Sequence, residues 1–158
     1  DALISDLPGV VLAVTVADCV PVLIYDAKNR AVAAVHTGWR GTVAGLAGKA
    51  LAAMALAFGT RGEDCWAYVG TCIDECSFEV GEDVALHFPE AFKQISALAG
   101  KYYVDLKKAN TAQLQLAGVP VAQIGISPYC TVRDNADYFS HRAEKGMTGR
   151  MMAVIGLP

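Results

Sequence analysis

Short apolar runs separated by polar turns dominate the first third of the chain, and many of their residues are β-branched. Runs of this kind are typical of β-strands. Similar runs recur at wider intervals through the rest of the chain. The predicted strands are residues 10–16, 20–25, 31–35, 66–70, 102–104, 121–126 and 151–155.

Two longer segments carry apolar residues at helical spacing. Residues 42–58 form the first predicted helix, and Gly59 is placed to end it. Residues 106–117 form the second, with Asp105 as its N-cap and Gly118 at its end. The predicted buried stripes are Leu46, Ala50, Met54 and Ala57 in the first helix, and Leu106, Ala109, Gln113, Leu116 and Ala117 in the second.

Strands and helices alternate within 158 residues, and no linker or internal repeat divides them. With a third, short helix predicted over 81–88, the pattern indicates a single α+β domain, 1–158, in which mixed β-sheets are flanked by helices. Hydrophobic residues make up 54% of the chain and charged residues 18%, a composition that excludes an intrinsically disordered protein.

Charge and hydropathy exclude two classes of partner. The net charge is −3 and no basic block occurs, so we expect no nucleic-acid partner. The longest apolar helical stretch, 43–58, contains Lys49 and is shorter than the roughly 20 apolar residues that span a membrane, so we expect no membrane partner. Five cysteines cannot all pair within one chain, which favours reduced thiols and a cytoplasmic location. The chain begins at Asp1 rather than Met, and we expect a further N-terminal segment before it.

Asp18 and Cys19 lie between two predicted strands, and His36 directly follows the next strand. A hairpin of this length could bring the Cys19 and His36 side chains to one end of a sheet. Such a pair can bind zinc or copper, or it can act as nucleophile and base. The same residues could equally be a buried cysteine and a hydrogen-bonded core histidine, and the spacing alone leaves these alternatives open.

Three arginines lie in segments suited to binding an anion. Arg40 precedes a predicted helix, where free backbone N–H groups and a guanidinium favour phosphate or carboxylate. Arg142 and Arg150 lie in an aromatic and cationic C-terminal segment that could clamp an anionic or aromatic ligand. The alternatives are a loop in which Arg40 forms an ordinary salt bridge, and a C-terminal segment that is simply solvated.

The other cysteines lack the spacing of a complete metal site. Cys72 and Cys76 have no second Cys pair to provide four ligands, and Cys65 and Cys130 stand alone. We expect all four to be structural thiols that form no disulfide, and we expect His87 to be a partly buried structural residue.

Five motifs follow one another along nearly the whole chain. The first three are T-V-A-D-C-V-P-V-L at 15–23, H-T-G-W-R-G at 36–41, and V-G-T-C-I at 69–73, continued by C-S-F-E-V-G at 76–81. The fourth is the pattern D-L, A-N, Q-L and G-V spread over 105–119. The fifth joins C-T at 130–131, Y-F-S-H-R at 138–142 and T-G-R at 148–150. In this order the motifs resemble the YfiH-type family, also labelled laccase-domain or multicopper polyphenol oxidoreductase.

The resemblance implies that family's fold and a zinc-dependent purine nucleoside phosphorylase with adenosine deaminase as a side activity. Its implied substrates are phosphate and a purine nucleoside such as adenosine, inosine or guanosine, and its products are the base and ribose 1-phosphate. It implies that Cys19 and His36 bind zinc together with a third histidine from a motif upstream of Asp1.

Further roles are expected from position as well as from the resemblance. Arg40 is placed to hold phosphate, and Asp18 to orient a ligand or move a proton. Arg142 and Arg150 are expected to bind substrate. Departures from the family pattern occur at Thr71, Asp74-Glu75 and His141, the last of which stands where the family has tyrosine.

Three other functions stay open at this level. The family's older label favours a copper-dependent polyphenol oxidoreductase, or laccase, with copper in place of zinc. A Cys-His hydrolase with Cys19 as nucleophile is the second, since the family's fold resembles that of cysteine-dependent deamidases. The third is an inactive binding module, which would follow from the lack of the third histidine.

Overall fold

Strands and short helices alternate along residues 1–158, all of which are described by a computed structural model. The strands are β1 (Ala2–Ser5), β2 (Val11–Val16), β3 (Val20–Asp26), β4 (Ala31–Thr37), β5 (Cys65–Val69), β6 (Glu79–Gly81), β7 (Lys93–Ile95), β8 (Lys101–Val104), β9 (Ile124–Ile126) and β10 (Met151–Gly156). The helices are α1 (Trp39–Val43), α2 (Leu46–Phe58), α3 (Glu82–Ala85) and α4 (Leu106–Leu116).

These strands form three sheets. The largest has the order β1-β4-β3-β5-β9 and is antiparallel except for the parallel pair β5 and β9. Strand β10 pairs antiparallel with β2, and β6, β8 and β7 form a small antiparallel sheet. The predicted α+β class with mixed sheets and flanking helices is confirmed.

Strand β4 lies between two apolar layers, which explains why its sequence is an uninterrupted apolar run. Ala31, Ala33 and Val35 face the main core, where they pack with residues of helices α2 and α4. Val32 and Ala34 face the other way and pack against Leu12, Val14 and Leu157, which belong to the layer formed by β2 and β10. The strand that ends in His36 and Thr37 is therefore held from both sides.

The first predicted helix is interrupted. Gly45 has a φ of +72°, a left-handed conformation that ends α1 and lets α2 begin at Leu46. The predicted apolar stripes were partly wrong, because Ala57 and Leu116 are exposed whereas Leu51 and Leu114 are buried. Tertiary packing of the helices, rather than the apolar spacing within each helix, decides which residues lie inside.

Helix ends were predicted better than short strands. Asp105 caps α4 by accepting a hydrogen bond from the Lys108 backbone N–H at 2.8 Å, and Gly59 ends α2 with a φ of +73°. The strand predicted over 121–126 and the helix predicted over 81–88 are shorter in the structure, where they correspond to β9 and α3. Strands β1, β6 and β7 were not predicted. None of the helices combines the length and apolar character needed to cross a membrane.

Candidate functional site

The ends of two neighbouring strands bring Cys19 and His36 together. In the antiparallel pair of β3 and β4, Pro21 lies opposite His36, so Cys19 stands just beyond the end of β4. The Thr37 hydroxyl donates a hydrogen bond to the Val20 carbonyl at 2.9 Å and fixes this junction. Both Cys19 and His36 line a cleft of about 370 Å³, whose wall also includes Asp18, Val16, Ile73, Phe78, His141, Arg142 and Arg150.

The Cys19 thiol packs against the backbone of the next motif. A Cβ atom at Gly38 would lie 2.9 Å from the Cys19 Sγ, so only glycine at position 38 leaves room for the sulfur as it stands. Burial raises the pKa of Cys19, the negative charge of Asp18 raises it further, and the positive charge of Arg150 opposes both. Without a bound cation, Cys19 is therefore a neutral thiol at neutral pH.

His36 is a neutral imidazole at the same cleft. Its side chain is 31% exposed, and its Nδ1 lies 3.6 Å from the Asp1 carboxylate. Burial lowers the pKa of His36. The Asp1 carboxylate is 88% exposed and does not reverse this shift. A neutral imidazole leaves a ring nitrogen free to bind a cation or accept a proton.

Two guanidinium groups face the cleft without a carboxylate partner. Arg142 Nη1 donates hydrogen bonds to the backbone carbonyls of Ser77 at 3.3 Å and Glu79 at 3.1 Å. Strand β10 pairs Met151 with Val16 of β2, which brings the preceding Arg150 to the cleft.

The second guanidinium, that of Arg150, donates from Nη1 to the carbonyls of Thr148 and Gly149 at 3.1 and 2.8 Å. Neither arginine has a carboxylate oxygen within 4 Å. Both side chains are thus oriented by neutral carbonyls and keep their positive charge available to an anion.

Arg40 lies apart from these two arginines. It lines a neighbouring cavity of about 330 Å³, which shares Cys19 and His36 with the cleft. Its guanidinium carbon lies 4.2 Å from the centre of the Trp39 ring, and Trp39 stacks on His87 with ring centres 5.9 Å apart. The expectation that His87 is partly buried was wrong, because His87 is exposed and its ring lies against Trp39.

Helix α4 holds the short helix that carries Arg40. The Asn110 side-chain amide donates to the Thr42 hydroxyl at 2.9 Å, and the Gln113 amide donates to the Thr42 carbonyl at 2.7 Å. Asn110 is fully buried. Two polar residues of the fourth motif therefore position the second motif, although they are far apart in sequence.

Asp18 has an unusual backbone and a fully engaged carboxylate. Its φ is +80°, which is uncommon for a residue with a side chain. The carboxylate accepts hydrogen bonds from the hydroxyls of Thr131 and Ser140 and from the backbone N–H of Arg142. All three donors belong to residues 130–150, which we call the closing loop.

Glu144 organises the closing loop from within. Its Oε1 accepts hydrogen bonds from the Ser140 N–H at 2.9 Å, the Thr148 hydroxyl at 2.8 Å and the Asn135 amide at 3.1 Å. These hydrogen bonds, led by that from Ser140, hold the pKa of Glu144 below its usual value. The carboxylate form is therefore the one that stabilises the loop.

Replacing Glu144 by glutamine should make the loop less sensitive to acid. A carboxyl whose pKa is depressed on folding stabilises the fold above its unfolded pKa and loses that contribution as the pH falls through the folded value. Below about pH 4.5, the ordinary value for this group, protection of the Ser140 amide from hydrogen exchange should fall in the wild type but stay nearly constant in Glu144→Gln. The Gly59 amide, which donates to the Ala55 carbonyl at the end of α2 and lies outside the closing loop, serves as the control. Equal pH profiles for the Ser140 amide in the two proteins would contradict this.

The remaining cysteines lie outside the cleft. Cys65, Cys72 and Cys130 are buried and Cys76 is exposed, and all are free thiols in the structure. Burial raises the pKa of Cys65 to about 12, so this thiol stays protonated.

Sequence reasoning did not assign a role to His141, Phe78 or Ile73, which line the cleft. The sequence signals for His141 were its place in the fifth motif, within the segment that could clamp a ligand, and its departure from the family's tyrosine. Phe78 and Ile73 both belong to the third motif, but as apolar residues they carry no chemistry that separates them from core residues.

The donor atoms at the cleft are of the types that a thiophilic metal ion binds. A thiol and an imidazole are the ligands that zinc and copper prefer. Cys19 and His36 are two such donors, but no group of three or more His, Cys, Asp or Glu residues in the chain is arranged to hold a metal ion. The residues present therefore supply part of a metal site.

The chain is similar to proteins of one known family. The family model described as multi-copper polyphenol oxidoreductase laccase matches residues 1–158. A purine nucleoside phosphorylase of Bacteroides thetaiotaomicron is 41% identical over 98% of this chain and 60% of its own length. Adenosine deaminase RL5, from an unknown prokaryotic organism, is 37% identical over 98% of this chain and 61% of its own.

A solved structure shows the same fold. The crystal structure of YlmD from Geobacillus stearothermophilus superposes with a TM-score of 0.93 at 36% identity, over 99% of this chain and 60% of that one. The chain thus spans about three-fifths of the length of these relatives.

Proposed function

This chain belongs to the multi-copper polyphenol oxidoreductase laccase family, as its motifs predicted, and on that premise we propose that it forms the catalytic cleft of a purine nucleoside phosphorylase. An oxygen of inorganic phosphate forms a bond to ribose C1′ while the bond from C1′ to the purine nitrogen breaks. The purine leaves with the bonding electrons and takes up a proton, and ribose 1-phosphate is the other product. Relatives that carry the name purine nucleoside phosphorylase support this proposal.

One structural observation carries the proposal: two guanidinium groups without carboxylate partners face the cleft that Cys19 and His36 also line. Arginine recognises phosphate with several donors at once, so Arg142 and Arg150 are the proposed phosphate ligands. Arg40 contributes a third positive charge from the neighbouring cavity.

The volume and the apolar lining of the cleft also suit a nucleoside. Its volume of about 370 Å³ lies in the range of about 300–1,000 Å³ that is typical of small-molecule sites. Phe78 provides apolar surface for a purine ring, next to the two arginines that would hold phosphate.

Cys19 and His36 are the proposed zinc ligands, with the third ligand outside these 158 residues. A zinc ion held there would supply Lewis-acid chemistry, which adenosine deamination also requires. The relative named adenosine deaminase RL5 supports deamination as a second activity of the same cleft. The raised pKa of Cys19 disfavours the alternative in which its thiolate is the nucleophile of a hydrolase.

Phosphate dependence tests the proposed reaction directly. With inosine as substrate, hypoxanthine should appear only when inorganic phosphate is present, together with an equal amount of ribose 1-phosphate. Arg142→Ala and Arg150→Ala should each weaken phosphate use by roughly tenfold or more, since each removes a charge-assisted hydrogen bond. Undiminished hypoxanthine release without phosphate would indicate a hydrolase and would overturn the proposal.

Gly38 offers a test of the metal site that needs no substrate. An alanine Cβ at this position would lie 2.9 Å from the Cys19 Sγ and would push the sulfur out of place. We expect Gly38→Ala to lower zinc affinity about 10–100-fold, the loss typical when a group that orients a metal ligand changes. A competition titration against a chromophoric chelator would measure this.

Gly41 of the same motif provides the matched control. A Cβ there would meet Leu46 Cδ2 at 3.5 Å, an ordinary van der Waals contact, so Gly41→Ala should bind zinc as the wild type does. Equal zinc affinities for the two variants would argue against Cys19 as a ligand.

A further inference from the structure

We propose that Asp18 is a positioning residue whose carboxylate fixes residues 140–142 of the closing loop, so that His141 and Arg142 face the phosphate subsite of the cleft. The proposal rests on the function proposed above. It gives Asp18 a task different from proton transfer, and it adds His141 to the ligand-binding surface.

The hydrogen bonds of Asp18 hold the loop on both sides of His141. Oδ1 accepts from the Ser140 hydroxyl at 2.8 Å, and Oδ2 accepts from the Arg142 N–H at 2.6 Å. The Thr131 hydroxyl also donates to Oδ1, at 2.5 Å. Because Ser140 and Arg142 flank His141, these bonds fix the backbone from which the exposed His141 side chain extends.

The exposed His141 ring lies beside the backbone of Gly146. Its Nε2 would lie 3.4 Å from a Cβ at Gly146, which has a φ of +88°. The Gly146 N–H donates to the His141 carbonyl at 2.8 Å and closes the turn. His141 and Arg142 both line the cleft, so one fixed segment presents an imidazole and a guanidinium to the same ligand.

The surroundings of Asp18 favour this role over that of a free base. Its carboxylate has no Lys, Arg or His side-chain nitrogen within 4 Å, although three arginines lie at the cleft and its neighbouring cavity. Both of its oxygens are occupied by donors of the closing loop. The φ of +80° persists because these bonds, and that from the Ile73 N–H to the Asp18 carbonyl at 3.0 Å, determine the backbone at this point.

Two substitutions separate positioning from proton transfer. Asp18→Gly removes the carboxylate while keeping a residue that adopts positive φ readily. Asp18→Asn also tolerates this conformation, and its amide can accept from the Arg142 N–H and donate to the two hydroxyls. If Asp18 is a positioning residue, Asp18→Asn should retain the function that Asp18→Gly loses. If Asp18 is a general base, both variants should lose it.

The first readout is inorganic phosphate binding, measured by calorimetry on the full chain. We expect Asp18→Gly to weaken binding by roughly tenfold or more and Asp18→Asn to stay within about threefold of the wild type. Loss of binding to the same extent in both variants would overturn the proposal.

The second readout needs neither catalysis nor phosphate binding. The chain has three histidines, so its imidazole NMR spectrum is simple. In Asp18→Gly the His141 signals should move toward their positions in an unfolded peptide, and the Arg142 amide should exchange more than about tenfold faster. The His87 signals serve as the control. An unchanged His141 signal and a protected Arg142 amide would overturn the proposal.

This second readout also keeps the proposal distinct from the proposed function. If the wild type neither binds phosphate nor releases hypoxanthine, the phosphorylase proposal fails, and the His141 and Arg142 signals still decide the role of Asp18. If Asp18→Gly does not fold, Ser140→Ala replaces it, because it removes one donor and leaves the Asp18 backbone unchanged. In that variant, an unmoved His141 signal would count against the proposal.

Discussion

Replacing Cys19 by alanine should lower phosphate-dependent hypoxanthine release by more than about 100-fold, since even changing a group that only orients a metal ligand costs about 10–100-fold. Alanine removes the soft donor of the proposed zinc site and keeps the size of the residue small. Zinc content of the purified protein, measured by elemental analysis, should fall in parallel. The two losses are expected together because they have the same cause.

Cys76 provides the control for this experiment. It is an exposed cysteine that lies outside the cleft, so Cys76→Ala should retain both zinc and activity. Full activity in Cys19→Ala would contradict the proposed site. Loss of activity with zinc content unchanged would show instead that Cys19 contacts the substrate.

Replacing Lys107 by methionine should destabilise the fold by about 3–5 kcal/mol, the loss typical when one member of a buried ion pair is removed. The Lys107 side chain is 11% exposed and its ammonium lies 2.5 Å from the Asp74 carboxylate. It also donates to the carbonyls of Ser127 at 2.8 Å and Tyr129 at 2.7 Å. Methionine keeps most of the apolar part of the lysine side chain. It leaves the Asp74 carboxylate and the two carbonyl oxygens without the ammonium that donates to them.

Arg133 limits the size of this effect. Its Nη1 lies 3.5 Å from the other oxygen of Asp74, so that carboxylate keeps one cationic neighbour. We therefore expect the lower end of the range, still a large part of the about 5–15 kcal/mol that stabilises a typical domain.

Lys108 is the matched control, since it is the next residue and its side chain is exposed. Lys108→Met should change the free energy of unfolding by less than about 0.5 kcal/mol, as is usual for surface positions. Urea unfolding of both variants measures the difference. A Lys107→Met protein as stable as Lys108→Met would show that the buried ion pair contributes nothing net.

The fold could be predicted where local sequence determines local structure. Strands β2, β3 and β4 were found because their runs are long, β-branched and bounded by turns. Strand β1 was missed because its four residues carry little signal, and β6 and β7 have only three residues each. The break between α1 and α2 was missed because a glycine within an alanine-rich helix is often tolerated.

The candidate site shows the same limit. Cys19 and His36 could be placed together because they belong to one hairpin, whose register follows from two adjacent strands. The partners of Asp18 could not be predicted, since Ser140 and Arg142 are 122 and 124 residues away in sequence. Such contacts depend on the tertiary path of the closing loop, which has no periodic pattern to indicate it.

The pairing of β10 with β2 also determines when the site can form during synthesis. Asp18 and Cys19 leave the ribosome well before Ser140, Arg142 and the strand that carries Arg150 into place. At a synthesis rate of about 5–20 residues per second, Asp18 and Cys19 are made roughly 6–25 s before the closing loop. A nascent chain that has completed β4 but has not reached the closing loop therefore holds Cys19 and His36 without Arg142 and Arg150. Premature termination before the closing loop would leave a protein whose cleft lacks these two arginines.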